Sequence, residues 1–185
     1  MPRLIVLNGP PAVGKSTLAS RYVDEHRLAI ALDLDRLRLL AFGAADVAGV
    51  PAMNATRDLA LGAARAHLRA GRDVVVPQYL GRPDYLEALE GLAAEVGADF
   101  HEIVLMDSEQ RLEQRFAERT AAATRIEHVA AAAGIQDEGP ESLAAMRARL
   151  VELVATRPHA VVIECPEGTE DITYRAVLRA IGDPA

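Results

Sequence analysis

The sequence predicts an α/β fold in three layers, a five-stranded parallel sheet with helices on both faces, and two observations carry that prediction. Five short apolar runs, Leu4–Leu7, Leu28–Leu32, Val74–Val76, Ile103–Met106 and Val161–Ile163, are near-continuous rather than alternating, the pattern of strands covered on both sides. Between them the apolar spacing turns helical, and strands alternating with helices imply right-handed crossovers and a parallel sheet. No repeat interrupts the alternation, so 1–185 reads as one domain, long enough to bury a substantial core.

Each element has a local reason. The first strand runs into Gly9-Pro10-Pro11-Ala12-Val13-Gly14-Lys15-Ser16, and a helix with the stripe Leu18, Tyr22 and His26 follows. Arg36 to about Arg72 exceeds a minimal crossover and reads as a helix, a loop over Gly43–Asn54 and a second helix that Asn54 caps. Pro83 suits a first helical turn before Leu86, Leu89, Ala93 and Val96. Ser108 caps a helix with Leu112 and Phe116 buried. Thr120–Gly139, rich in Ala and small polar residues, reads either as a surface helix–loop or as a flap over a nucleotide. Pro140 then opens a helix carrying Leu143, Met146, Leu150 and Leu153, and Thr169, with Glu170 and Asp171, caps the last one.

The segment Gly9–Ser16, with Thr17 after it, fits G-x-x-x-x-G-K-[ST], a phosphate-binding loop, in the strand–loop–helix setting such a loop requires. Glycines let successive N–H groups turn inward, and the helix start adds its positive dipole end. Pro10 and Pro11 have no N–H, so phosphates are expected on the amides of Val13 to Thr17, with Gly9, Ala12 and Gly14 shaping the turn. Lys15, the only lysine in the chain, would reach the β- and γ-phosphates of ATP, and the Ser16 hydroxyl would sit on Mg²⁺.

Beyond the second strand stands Asp33-Leu34-Asp35-Arg36-Leu37-Arg38. Continued as a strand, it would turn Asp33 and Asp35 the same way, so that one carboxylate could hold Mg²⁺ through water and the other accept a hydroxyl proton. Arg38, about one helical turn on, could clamp an anionic substrate group. The alternative is a solvated helix start, where Asp is common.

The loop together with D-x-D-x-x-R resembles the small P-loop kinases of the P-loop NTPase superfamily: adenylyl-sulfate kinases, the kinase domain of polynucleotide kinases, zeta-type toxins and chloramphenicol phosphotransferases. The resemblance implies a sheet of order 2-3-1-4-5, ATP as phosphate donor and Asp35 as general base. It places arginines ahead of a lid over about 120–139, here Arg115 and Arg119, with Arg125 a third candidate within it. It sets Gly168, in the turn after strand five, against the adenine base. Many relatives carry an acidic residue after strand three. Here Val76 runs into Pro77-Gln78-Tyr79 without one, so magnesium would rely on Ser16, phosphate, water and Asp33. Gln78, Tyr79 and Arg82 remain substrate-binding candidates, although a partly buried core ring would also explain Tyr79. Arg111, Arg115 and Arg119 lie along one helix edge, where Asp107 and Glu118 can offset their repulsion.

Composition narrows the rest. A net charge of −7 argues against a broad nucleic-acid or acidic-membrane surface. With no leader and no apolar run near 18 residues, a cytoplasmic protein is expected. Cys165 is the only cysteine and reads as a buried, inert thiol, and five histidines without ligand spacing argue against zinc. The expected activity is ATP-dependent phosphoryl transfer to a hydroxyl of a small molecule. The alternatives are a 5′-hydroxyl polynucleotide kinase and an ATP-binding regulator with little transfer. Neither the acceptor nor the oligomeric state can be read from the sequence.

Overall fold

Strand β1 (Arg3–Asn8) takes the centre of the sheet because Leu4, Ile5, Val6 and Leu7 are apolar on both faces and all are buried. The computed structural model describes residues 1–42, 49–121, 142–166 and 168–183. In chain order β1 is followed by α1 (Lys15–Glu25), β2 (Ile30–Ala31), α2 (Leu34–Phe42), α3 (Gly49–Arg69), β3 (Val74–Pro77) and α4 (Pro83–Val96). Then come β4 (Asp99–Met106), α5 (Glu109–Ala121), α6 (Leu143–Ala155), β5 (Val161–Glu164) and α7 (Glu170–Ala180). All pairings are parallel and the order is β2-β3-β1-β4-β5, as the resemblance implied.

Two apolar clusters fill the spaces on either side of the sheet. One joins Leu4, Val6, Val74, Val76 and Val104 to Ala64 and Leu68 of α3, Leu86 and Leu89 of α4, and Leu150 of α6. The other joins Ile5, Leu7, Val75, Ile103 and Leu105 to Leu18 and Tyr22 of α1, Leu112 of α5, and Tyr174 and Val177 of α7. Successive strand residues face opposite sides, so the even-numbered and odd-numbered positions of β1 fall into different clusters. Cys165 belongs to the second cluster, and burial pushes its thiol up to about 11, which leaves it unreactive.

Several local expectations change. β2 has only two residues: Leu28 takes a left-handed turn (φ +64), and only Ile30 and Ala31 pair with β3. At the opposite edge Val161 and Val162 of β5 are exposed rather than covered. α3 begins at Gly49, earlier than the spacing suggested, because Pro51 is tolerated in a first turn; Asn54 therefore lies inside the helix and caps nothing. His26 ends α1 instead of joining its stripe, and its ring stacks on Tyr22 at 3.7 Å. Ser142 caps α6 by accepting the Ala145 N–H. Thr169 occupies the N-cap of α7, but its hydroxyl donates to Pro166 O at 2.5 Å instead of capping. Most of the expected flap over 120–139, Arg125, Pro140 and the early part of the Gly43–Asn54 loop lie outside the described residues. No helix among the described residues is long and apolar enough to cross a membrane.

Candidate functional site

The carboxyl end of β1 turns directly into the phosphate-binding loop. Gly9 has φ +153, and a Cβ there would stand 2.6 Å from Leu105 O and 2.9 Å from Val13 Cγ1, so the neighbouring strand leaves room for glycine only. Gly14 caps α1 with φ +107, while Ala12 holds φ +66, a left-handed conformation that costs an L-residue energy. The Val13 N–H is drawn back into the loop, donating to Pro10 O at 3.4 Å, and Leu18 makes the first helical bond, to Gly14 O at 3.1 Å. The amides of Gly14, Lys15, Ser16 and Thr17 precede that bond. Of the amides expected in the cradle, those four stand ahead of the first helical bond and Val13 is turned back into the loop. Lys15 Nζ donates to Gly9 O and Pro10 O, both at 2.8 Å, which holds the ammonium over the loop.

Ser16 connects this loop to the next crossover: its hydroxyl donates to Asp33 Oδ2 at 3.3 Å. Asp33 is not in a strand. Its Oδ1 accepts the N–H groups of Asp35 (3.1 Å) and Arg36 (3.3 Å), so it caps α2, and Asp35 falls in the first turn. The same-face pair predicted for Asp33 and Asp35 is therefore replaced by a division of labour. Asp33 faces the phosphate loop, and Asp35 pairs with Arg38 at 3.3 Å. Beside the Ser16–Asp33 contact opens a cavity of about 280 Å³, walled by Ala19, Leu32, Leu37 and Pro77 among others. A hydroxyl and a carboxylate are the hard oxygen donors that Mg²⁺ prefers, and an ion keeping several waters needs few of them. The described residues contain no group of three metal-binding side chains.

Strand β3 ends at Pro77 with no carboxylate, and the next residues return to β1. The Gln78 N–H donates to Leu7 O at 3.1 Å, and Gln78 Oε1 is buried with no hydrogen-bond partner. Tyr79 is partly buried against the first apolar cluster, and its hydroxyl donates to Met146 O at 3.4 Å. Arg82 is exposed at the N-cap of α4. Sequence reasoning missed Asn8, whose side chain binds Gly9 and Leu80 from a fully buried position; its only signal was one polar residue closing an apolar run.

At the end of β4, Asp107 is almost fully buried and gathers arginines from two helices. Arg111 and Arg115 of α5 approach its carboxylate at 3.6 and 3.7 Å, and Arg147 of α6 donates to its backbone oxygen at 3.2 Å. Arg115 is thus held at the carboxyl ends of the strands; the side chain of Arg119 lies outside the described residues. Gly168 (φ +71) sits exposed in the turn before α7. Arg21 of α1 bonds Asp171 and lies 4.2 Å over the Tyr174 ring, so the helix after the phosphate loop is tied to the helix after that turn.

This central-strand loop in a sheet of order 2-3-1-4-5 defines a kinase-like P-loop fold. Residues 4–137 match the AAA domain family, and the chain belongs to that family. No curated protein matches its sequence. Solved structures with the same fold include the tunicamycin resistance protein of Deinococcus radiodurans, at 17% identity and a TM-score of 0.65, covering 100% of this chain and 98% of that one. The APS kinase of Mycobacterium tuberculosis, solved with AMPPNP and APS, is 17% identical with a TM-score of 0.66 and 98% of each chain covered. A gluconokinase from Sinorhizobium meliloti 1021 is 18% identical with a TM-score of 0.59, covering 98% of this chain and 92% of that one.

Proposed function

We propose that the protein is an ATP-dependent phosphotransferase that moves the γ-phosphate to a hydroxyl of a small molecule, working as a single domain in the cytoplasm. The observation that carries this reading is the contact between Ser16 and Asp33, which joins the phosphate loop to the helix bearing Asp35. That contact brings the first turn of α2, and with it a candidate base, to the crossover beside the loop. In this reading Gly14 to Thr17 and Lys15 hold the phosphates, with Gly9, Ala12 and Val13 shaping the turn and Gly168 bordering the base. Ser16 and Asp33 hold Mg²⁺, which when bound offsets phosphate charge. Arg38, Gln78, Tyr79 and Arg82 line the acceptor side.

The acceptor oxygen forms a bond to Pγ as the bond from Pγ to the β–γ bridging oxygen breaks, and ADP leaves with that electron pair. Asp35 takes the acceptor's proton. Lys15, Arg115 and Arg119 neutralise charge on the moving phosphoryl group, the largest contribution a protein makes to this chemistry. Arg38 keeps the Asp35 carboxylate aimed while no acceptor is present.

The test is ADP release across a panel of small hydroxyl compounds, with Asp35→Asn beside the wild type. Transfer to at least one compound is expected, with a loss of roughly a hundredfold or more in kcat for Asp35→Asn. Full turnover by that variant on the true acceptor would sink the role given to Asp35. The end of β3 at Pro77 without a carboxylate favours a second reading, an ATP-binding regulator. Tight ATP binding with no transfer to any acceptor would select it.

A further inference from the structure

Asn8 closes β1 with 0% of its surface exposed, after four apolar residues. Its carboxamide makes three hydrogen bonds. Oδ1 accepts the N–H of Gly9 at 2.8 Å and of Leu80 at 2.9 Å, and Nδ2 donates to Leu80 O at 2.9 Å. Two N–H donors on one side and a carbonyl on the other fix the orientation of the amide. One partner opens the phosphate loop; the other is the middle residue of Gln78–Arg82, between β3 and α4. The β1–β3 register ends at Leu7 and Pro77, and Asn8 extends it with side-chain atoms in place of backbone.

The rest of that segment has little slack. Tyr79 folds back so that a Cβ on Gly81 would stand 2.5 Å from its hydroxyl and 2.9 Å from Arg149 Cδ. Leu80 itself is buried in the first apolar cluster. A displacement of Leu80 would therefore carry Gln78, Tyr79 and Arg82 with it.

We propose that Asn8 is a positioning residue that couples nucleotide binding at the phosphate loop to the order of the Gln78–Arg82 segment. That this segment serves an acceptor rests on the transfer reading; the coupling itself does not. Lys15 Nζ holds Gly9 O at 2.8 Å, and the Gly9 N–H shares Asn8 Oδ1 with the Leu80 N–H, so a nucleotide whose phosphates draw Lys15 away from Gly9 changes how firmly Asn8 holds Leu80. A purely structural tie would hold Leu80 equally with and without nucleotide.

Amide hydrogen exchange on the full chain with and without ADP tests this. In the wild type, ADP is expected to slow exchange at Gly14–Thr17 and at Leu80, the latter by about fivefold, the equivalent of one net hydrogen bond. Asn8→Ala should keep the ADP effect at Gly14–Thr17 and lose it at Leu80. Asn8→Asp retains an accepting oxygen for the two N–H groups but turns a second acceptor on Leu80 O, and should keep at most part of the Leu80 effect; the wild type with and without ADP carries the test if neither variant folds. Protection of Gly14–Thr17 by ADP with no change at Leu80, or an undiminished Leu80 effect in Asn8→Ala, overturns the coupling and leaves nucleotide binding standing. No protection at either place removes both.

Discussion

The two ends of the sheet are built on opposite terms. At the amino ends of the strands the polar groups close on one another. Arg3 bonds Asp183 at 2.6 Å and lies 3.6 Å from Asp73, Tyr22 donates to Asp73 at 2.7 Å, and His26 meets Asp183 at 3.0 Å. At the carboxyl ends they stay open. Helix-start amides precede their first bond, and Gln78 Oε1, Arg38 Nε and Asp107 Oδ2 are buried without a hydrogen-bond partner; nearer the amino ends His101 Nε2 and Glu102 Oε1 of β4 share that condition. Buried polar atoms are normally satisfied. The difference teaches that one end fastens the C-terminal segment to β1 and α1, while the other carries the phosphate loop and its helix-start amides.

Mutations that disturb packing and mutations that remove a ligand group should affect different measurements. The largest effect is expected from Gly9→Ala, whose new Cβ meets the Leu105 carbonyl at 2.6 Å: about 3 kcal/mol of stability lost, read by urea unfolding. An unchanged midpoint would mean that β4 gives way there. Lys15→Ala should weaken ADP by about 2 kcal/mol, roughly thirtyfold by calorimetric titration, with the melting temperature of the free protein nearly unchanged. A matching drop in stability would erase the contrast between the ends.

Asp183→Asn acts at the closed end and should cost about 1 kcal/mol at neutral pH without altering ADP affinity. Burial alone would raise the Asp183 carboxyl, but hydrogen bonds from His26 and Arg3 outweigh it and hold the group below the usual carboxylate range. Its contribution is therefore fully present above the unfolded value near pH 4 and is lost as pH falls through the lower folded value. The gap between wild type and variant in unfolding free energy should close from pH 5 downward; a constant gap would contradict the pairing. Smallest is Ala12→Gly, which relieves a left-handed alanine and should add about 0.5–1 kcal/mol. A loss instead would show that the loop depends on alanine's reduced freedom when unfolded.

How legible these features were depended on how local their causes are. The phosphate loop could be read because its strand, its turn glycines and its helix start are adjacent in sequence. Asp33 was misread as a strand residue because Leu28–Leu32 is apolar throughout, and apolarity does not reveal that only Ile30 and Ala31 have partners on β3. The start of α3 was misjudged because Pro51 reads as a break, yet it is harmless in a first turn. Asn8 left no pattern at all, since its partners Gly9 and Leu80 are brought together only by the β1–β3 pairing. The gathering of Arg115 and Arg147 on Asp107 likewise requires α5 and α6 to be packed already.

The position of β1 also has a kinetic side. Leu4 pairs with Val74 on one flank and Phe100 on the other, so β1 is enclosed only once β4 has been made. Until the ribosome has passed Met106, a chain still being made exposes an apolar strand with at least one unpaired edge. Loop closure over such separations is slow, and such edges invite pairing between chains. A nascent chain of this protein therefore leaves Leu4–Leu7 open until β4 arrives, and it relies on that arrival or on a chaperone to shield them.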